Sequence, residues 1–368
     1  MSTHKIAFLF PGQGSQSVGM GRDLYDHFPT ARATFDEADA ALGFPLSRLI
    51  FEGPEEDLKL TEHTQPAILT VSVAAARVLI EHGITPALAA GHSLGEYSAH
   101  VIAGTLSFTD AVRTVRARGR FMQQAVPAGE GAMAAILGLP ATQVAELCAQ
   151  ASDQLLAELT RLEPTPPEPA PLGGYDSEFD SAAHIEADSA IPNASTIQRD
   201  LVNQATVAPA NLNSPDQTVI SGSTPAVHRA VDLCNAAGAK KSVLLAVSAP
   251  FHCGLMAPAQ KALMIELEGV RFQDPHIPVA ANVDARFTAR DSDARDTLIR
   301  QVTGAVRWVE CIQLLIANGA THFIEVGPGR VLAGLMRQID REQKALNVSD
   351  SATLQKTLAA LNPTPTAE

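Results

Sequence analysis

The sequence predicts an α/β protein in which a small ferredoxin-like domain interrupts a larger α/β domain. Three observations lead there. Residues 84–90 form a short apolar run that enters Gly91-His92-Ser93-Leu94-Gly95 and then a helix-compatible stretch from Glu96 to Ala103, which reads as strand, turn, helix. Residues 132–247 carry strand and helix signals in the order β-α-β-β-α-β. Beyond residue 248 the alternation resumes, with strands at 277–281 and 321–326 and helices at 294–303 and 310–318. The boundaries that follow are 1–129 and 248–345 for the large domain, 130–247 for the small one, and 346–368 for a C-terminal helix and tail.

At 368 residues and 46% hydrophobic content, the chain can bury a core large enough for two domains. No run of about 18 apolar residues is present, so no membrane span is expected. The first residues, Met1-Ser2-Thr3-His4-Lys5, lead at once into a strand at 6–10, too short and too soon interrupted for a signal peptide. Cys148, Cys234, Cys253 and Cys311 lack any Cys-x-x-Cys spacing, so neither a disulfide framework nor a metal site is indicated. A cytoplasmic location follows as the default. The net charge of −13 argues against nucleic acid or an anionic membrane as a partner.

In chain order, the strand at 6–10 ends in the glycine-rich turn Pro11-Gly12-Gln13-Gly14. It lacks the third glycine and the Lys-Ser/Thr of phosphate-binding loops. One helix is expected over 24–41 and a long buried one over 64–82. The turn at 91–95 then has the context of a nucleophile elbow, in which both flanking glycines must lack side chains. Ser93 would sit at a helix N-terminus, where backbone N–H groups favour a developing oxyanion. The competing reading is an ordinary glycine-bounded turn with a solvated serine. Ser107-Phe108-Thr109-Asp110 caps the next helix, whose Arg113, Arg116, Arg118 and Arg120 read, from the residues alone, as a solvated face.

The small domain starts with a strand at 132–139 and a helix at 142–150. Residues 151–206 then interrupt it. Between 151 and 200 there are ten acids against two arginines, a local charge of −8 that leaves −5 to the rest, together with six prolines. Such composition marks an extended insertion, with at most a short helix at 153–162. Strands at 206–212 and 217–221, a helix at 225–237 and a strand at 240–247 complete the domain.

A serine hydroxyl needs a base within hydrogen-bond reach. His252, in a loop leaving the last small-domain strand, is the better placed candidate, at a junction of domains where pockets form. His92 adjoins Ser93, but neighbouring side chains on a tight turn diverge. Cys253 is a rival nucleophile without an elbow.

Motifs spread in order over about 5–340 resemble the malonyl-CoA:acyl carrier protein transacylases, whose relatives include the acyltransferase domains of polyketide and fatty-acid synthases. They are Phe10-Pro11-Gly12-Gln13-Gly14-Ser15-Gln16, Gly91 through Ser98, Phe121-Met122-Gln123, Gly131-Ala132-Met133, Asn211 through Pro215, Phe251-His252-Cys253, Val306-Arg307-Trp308 and Glu325 through Gly329. The resemblance implies an α/β-hydrolase-like large domain with a parallel sheet and a ferredoxin-like insert. It implies ping-pong transfer of malonyl from malonyl-CoA to the phosphopantetheine thiol of acyl carrier protein, with no cofactor or metal. Ser93 would be acylated and His252 would be the base, held by a backbone carbonyl at Gln301 in place of a triad acid. Gln13 and the Leu94 N–H would form the oxyanion hole. Arg118 would pair with the malonyl carboxylate, which reverses the solvated-face reading of that residue. His92, Gln301, Asn211 and Met122 would complete the substrate pocket of a monomer.

Two departures stand out. Thr303-Gly304-Ala305 replaces the Asn-Pro that many relatives have, and the acidic insertion is longer than usual. Pro250-Phe251 suits a small α-substituent, hence malonyl over methylmalonyl. Arg113, Arg116, Arg120, Lys240 and Lys241 are the cations expected to receive an acidic carrier protein. Ser93 and His252 alone leave two other readings open, a serine acyl-thioesterase and a module that only docks carrier protein.

Overall fold

In the computed structural model, residues 4–162, 194–247 and 249–361 are described. Ten strands, β1 (Ile6–Phe10), β2 (Leu88–Gly91), β3 (Gly131–Leu137), β4 (Val207–Ser214), β5 (Gln217–Ser223), β6 (Lys241–Leu244), β7 (Val279–Ala281), β8 (Arg286–Thr288), β9 (His322–Val326) and β10 (Ala345–Val348), divide into two sheets. The first has six strands in the order β10-β9-β1-β2-β7-β8 and the second four in the order β4-β5-β3-β6. All neighbours in the larger sheet are parallel except the β7–β8 hairpin.

The larger sheet is central because its inner strands, β1 and β2, are apolar on both faces. β1 is buried at all five residues, as expected of a parallel strand covered by helices on either side. Helix Thr61–Glu81 lies against it, with sixteen of its residues buried. The smaller sheet is antiparallel and follows the expected β-α-β-β-α-β order. One face packs on helices Ala141–Leu162 and Thr224–Ala236 through Ala134, Ile136, Val144, Cys148, Val227 and Ala230. β4 also ties the smaller sheet to the segment leading into helix Trp308–Ala317: Leu212 N–H donates to Val306 O at 2.9 Å and Val306 N–H to Ala210 O at 2.8 Å.

Several elements differ from expectation. The helix expected over 24–41 is two, Arg22–His27 and Pro29–Leu42, because Phe28 between them is extended at φ −124° and ψ 117°. The residue before a proline is pushed out of the α region. The helix expected over 142–150 continues to Leu162, since Cys148, Ala151 and Leu155 extend its buried stripe into the segment assigned to the insertion. The far end of that segment is also helical, at Ala194–Ala205. Residues 163–193, which carry most of the acidic and proline-rich composition, lie outside the described residues. The stretch from 346, expected as helix and tail, begins within a strand, β10, which pairs parallel with β9 at the sheet edge.

Candidate active site

The site begins where β2 meets helix Gly95–Ile102. The turn is too tight for side chains at either end: a Cβ on Gly91 would lie 1.9 Å from Gly95 O, and one on Gly95 would lie 2.1 Å from Phe10 O. Ser93, between them, is held at φ 52°, a left-handed conformation that costs a non-glycine residue about 1–2 kcal/mol. The strain is held by its neighbours. Asn282, fully buried, accepts the Ser93 N–H on Oδ1 at 2.7 Å and donates from Nδ2 to Gly91 O at 2.7 Å. The turn thereby presents the serine hydroxyl to the space between the two sheets.

His252 comes to that hydroxyl from the loop after β6. It too is left-handed, at φ 61°. Its Nε2 lies 2.7 Å from Ser93 Oγ. On the opposite side of the ring, Nδ1 lies 2.9 Å from Gln301 O and 3.2 Å from Gly304 O. Carbonyls only accept, so Nδ1 carries the proton and Nε2 is left to accept from Ser93. Burial, followed by the positive charge of Arg118, lowers the imidazole from near 6.5 to about 3. The ring is therefore neutral at physiological pH.

The two rival groups point elsewhere. His92 Nε2 is engaged with Asn213 Oδ1 at 2.8 Å, and its ring packs 5.5 Å from Trp308. Cys253 Sγ–H donates to Pro250 O at 3.2 Å, and burial raises the thiol above its ordinary value, so it is not an activated nucleophile.

Arg118 lies on helix Phe108–Gln124 and is 1% exposed. Its position follows from helical spacing, since Ala111, Val115, Arg118 and Met122 fall on one buried stripe. The other three arginines of that helix face outward, with Arg113 donating to Ala41 O at 2.8 Å and Arg116 lying over the Phe44 ring. Arg118 Nη1 donates to Gln65 Oε1 at 2.7 Å, and Nη2 donates to Gln301 Oε1 at 3.0 Å and to Ser93 Oγ at 3.2 Å. Among the described residues its Nε–H is buried without a partner. The guanidinium is held in the cavity wall as a cation beside the serine hydroxyl.

These groups line a cavity of about 600 Å³. Ser93, His252, Arg118, His92, Leu94, Gln13, Met122 and Asn211 all contribute to its wall, with Met133, Leu245, Val247 and Phe251 as its apolar lining. Gln301 is fully buried and sits behind the wall. All nine residues singled out from the sequence thus converge on one place. Three further groups were not singled out. Gln65 anchors Arg118 and Asn282 anchors the turn. Glu96, fully buried, accepts from Asn282 N–H at 2.9 Å and Gln301 Nε2 at 2.7 Å. Glu96 lies in the elbow motif itself, and a charged residue in the first turn of a small-residue helix was the available signal. Gln65 and Asn282 carry no local signal, because each is brought to the site by a separate part of the chain. Among the described residues there is no cluster of three metal-ligating side chains, and no helix is long and apolar enough to cross a membrane.

The arrangement can acylate a serine and hold an anion beside it. Comparison with known proteins places the chain in a family. Residues 7–158 match the family model described as acyl transferase domain. A malonyl CoA-acyl carrier protein transacylase of Bacillus subtilis (strain 168) is 44% identical over 357 residues, 97% of each chain. One of Escherichia coli (strain K12) is 42% identical over 336 residues, 91% of this chain and 93% of the relative. Among solved structures, a malonyl-transacylase in complex with its holo type II PKS acyl-carrier protein has a TM-score of 0.81 at 40% identity, covering 97% of this chain and 99% of the other. An acyl carrier protein S-malonyltransferase of Vibrio cholerae has a TM-score of 0.80 at 41% identity, covering 96% and 99%. With identity of this level along nearly its whole length, the chain belongs to the malonyl CoA-acyl carrier protein transacylase family of acyl transferases.

Proposed function

We propose that the protein transfers malonyl from malonyl-CoA to the phosphopantetheine thiol of acyl carrier protein, in fatty-acid or polyketide synthesis, through a malonyl-serine intermediate. The observation that carries this reading is the placement of Arg118 Nη2 3.2 Å from a hydroxyl that also lies 2.7 Å from His252 Nε2. A nucleophile, its base and a buried cation share one wall of one cavity.

In the first half-reaction, Ser93 Oγ attacks the thioester carbonyl as His252 Nε2 takes its proton. Charge develops on the carbonyl oxygen, and Gln13 and the Leu94 N–H, both from residues of the cavity wall, are the donors assigned to it in this reading. The tetrahedral intermediate collapses with loss of the coenzyme A thiolate, which takes the proton from His252. In the second half-reaction the carrier-protein thiol attacks the malonyl-serine ester as His252 Nε2 accepts its proton, and the intermediate collapses with loss of Ser93 Oγ, which takes that proton back from His252. The malonyl carboxylate pairs with Arg118 throughout, which orients the acyl carbonyl toward Oγ. Phe251 lies in the cavity wall, and its bulk beside His252 supports an unsubstituted malonyl over a larger α-substituent.

A serine thioesterase would use the same first half-reaction and release malonate to water. The carboxylate-binding cation, and backbone carbonyls in the place of an acid on His252 Nδ1, favour a thiol acceptor. The two readings separate in a coenzyme A release assay with and without holo carrier protein. Transfer predicts that coenzyme A release slows to a trickle after one equivalent and resumes when carrier protein is added. Steady release at one rate in both samples would support the thioesterase.

The environment of His252 sets a pH dependence. The imidazole must be neutral to act as a base, and its pKa is lowered to about 3 by burial and by Arg118. Acylation, read as kcat/KM, is therefore expected to hold its rate down through pH 6 and 5 and to fall only well below the ordinary histidine value. In the substrate complex the carboxylate compensates Arg118, so the acid limb of kcat should lie closer to neutrality than that of kcat/KM. Stability has the same sign. Between about 6.5 and 3 the unfolded chain binds a proton that the folded imidazole refuses, so this contribution is intact above that window and lost as pH falls through it.

A further inference from the structure

The carboxyl of Glu96 lies directly behind the reacting groups, and the reaction described above gives it nothing to do. Its Oε2 accepts two hydrogen bonds, from Asn282 N–H at 2.9 Å and Gln301 Nε2 at 2.7 Å. Among the described residues its Oε1 has no hydrogen-bond partner and lies 4.0 Å from His100 Nε2, and both ring nitrogens of His100 are likewise unpartnered. Both side chains are fully buried. A buried acid is costly to keep, so the two bonds it makes are the place to look for its use.

Gln301 is the hub. Its Nε2 donates to Glu96 Oε2 and to Ser93 O at 3.0 Å, its Oε1 accepts from Arg118 Nη2, and its backbone carbonyl accepts from His252 Nδ1. An amide can occupy this site in two orientations. Flipped, Gln301 would set its oxygen against Glu96 Oε2 and Ser93 O, and its NH2 against the Arg118 guanidinium. Acceptor would then face acceptor and donor would face donor. An acceptor at Glu96 Oε2 on one side and a cation on the other therefore permit one orientation only. Asn282 is held in parallel, since Glu96 fixes its backbone N–H while its side chain spans Gly91 O and Ser93 N.

We propose that Glu96 is a positioning residue for acyl transfer: through Gln301 and Asn282, its single acceptor oxygen Oε2 holds Ser93, His252 and Arg118 in register. The inference rests on the acyl-transfer reading. What counts is an acceptor at that point, and protonation of the unpartnered Oε1 leaves it in place. The ionisation state of the carboxyl is then secondary, although burial raises its pKa to about 7, against the Asn282 and Gln301 hydrogen bonds and the charge of Arg118.

The test is single-turnover acylation by malonyl-CoA and by acetyl-CoA in wild type, Glu96→Met, Glu96→Gln and Glu96→Asp, with circular dichroism and Tm as checks of folding. Glu96→Met keeps the volume and removes the acceptor, and malonylation should slow by roughly 10²-fold, as for a small misplacement of reacting groups. The preference for malonyl over acetyl should fall with it, because Arg118 loses its fixed partner. Glu96→Gln can offer its oxygen to Gln301 and Asn282 and its NH2 to His100, so it should recover most of the loss, to within about fivefold of wild type. Glu96→Asp keeps the charge but withdraws the oxygen by one methylene, and should be slower than Glu96→Gln. Wild-type rates in a folded Glu96→Met, or a Glu96→Gln slower than Glu96→Asp, would overturn the proposal. If Glu96→Met does not fold, the Gln and Asp variants decide alone. Failure of the underlying reading would appear separately, as no malonyl adduct on the wild-type protein.

Discussion

Ser93→Ala abolishes the malonyl adduct and reduces turnover on the order of 10⁵–10⁶-fold, the scale seen when a serine nucleophile is deleted outright. The fold should survive, because alanine can take the serine's place on the turn and the Asn282 bonds are to backbone atoms. No other group can replace the hydroxyl. His92 is engaged with Asn213, and Cys253 is a buried thiol with its pKa raised. His252→Ala removes the base but leaves the hydroxyl, and the loss should be smaller, about 10²–10⁴-fold. Labelled malonyl that still attaches covalently to folded Ser93→Ala would contradict this assignment.

Arg118→Ala selectively destroys the use of malonyl-CoA. Arg118 is 1% exposed and contributes to the cavity wall, so a carboxylate entering the cavity meets a desolvated charge. Removing one member of such a pair costs about 3–5 kcal/mol, or roughly 10²–10⁴-fold in kcat/KM at 1.4 kcal/mol per tenfold change. Acetyl-CoA has no carboxylate and should be used as well as by wild type or better. Arg118→Lys should rescue little, since an ammonium cannot reproduce the fork that reaches Gln65, Gln301 and the ligand together. The substitution has a second signature. The guanidinium lowers the His252 pKa, so the acid limb of acetyl transfer should move upward in Arg118→Ala. Equal loss of both substrates would mean that Arg118 only supports the fold.

The parts of the site that were legible in the sequence are those written into short motifs. Gly91 and Gly95 announce the turn because no other residue fits where the strand and helix close on each other. His252 was recognisable by its position after β6 at the junction of the sheets. Arg118 was misread as solvated from its four-arginine context alone. Its spacing from Val115 and Met122, which places it on the inner stripe, was available and decisive. Gln65 and Asn282 were illegible for a different reason. Each is an ordinary amide until tertiary contacts bring it to Arg118 or to the turn, and no local pattern encodes such a meeting. The fold shows the same division. β1 and β9 declare themselves as apolar runs, whereas β8 and β10 are three and four residues long and partly exposed. They are strands because an existing sheet edge pairs with them.

Direct capture of the intermediate is the most searching measurement. Wild-type protein is mixed with malonyl-CoA and quenched within a turnover. The intact mass is recorded, the adduct is mapped by peptide fragmentation, and a parallel sample is chased with holo carrier protein before the quench. One malonyl group on the peptide containing Ser93, lost from the protein and recovered on the carrier's phosphopantetheine at the rate of the chase, is the predicted result. A malonyl group on any other residue, or one that leaves Ser93 no faster with carrier protein than without it, would contradict transfer through this serine.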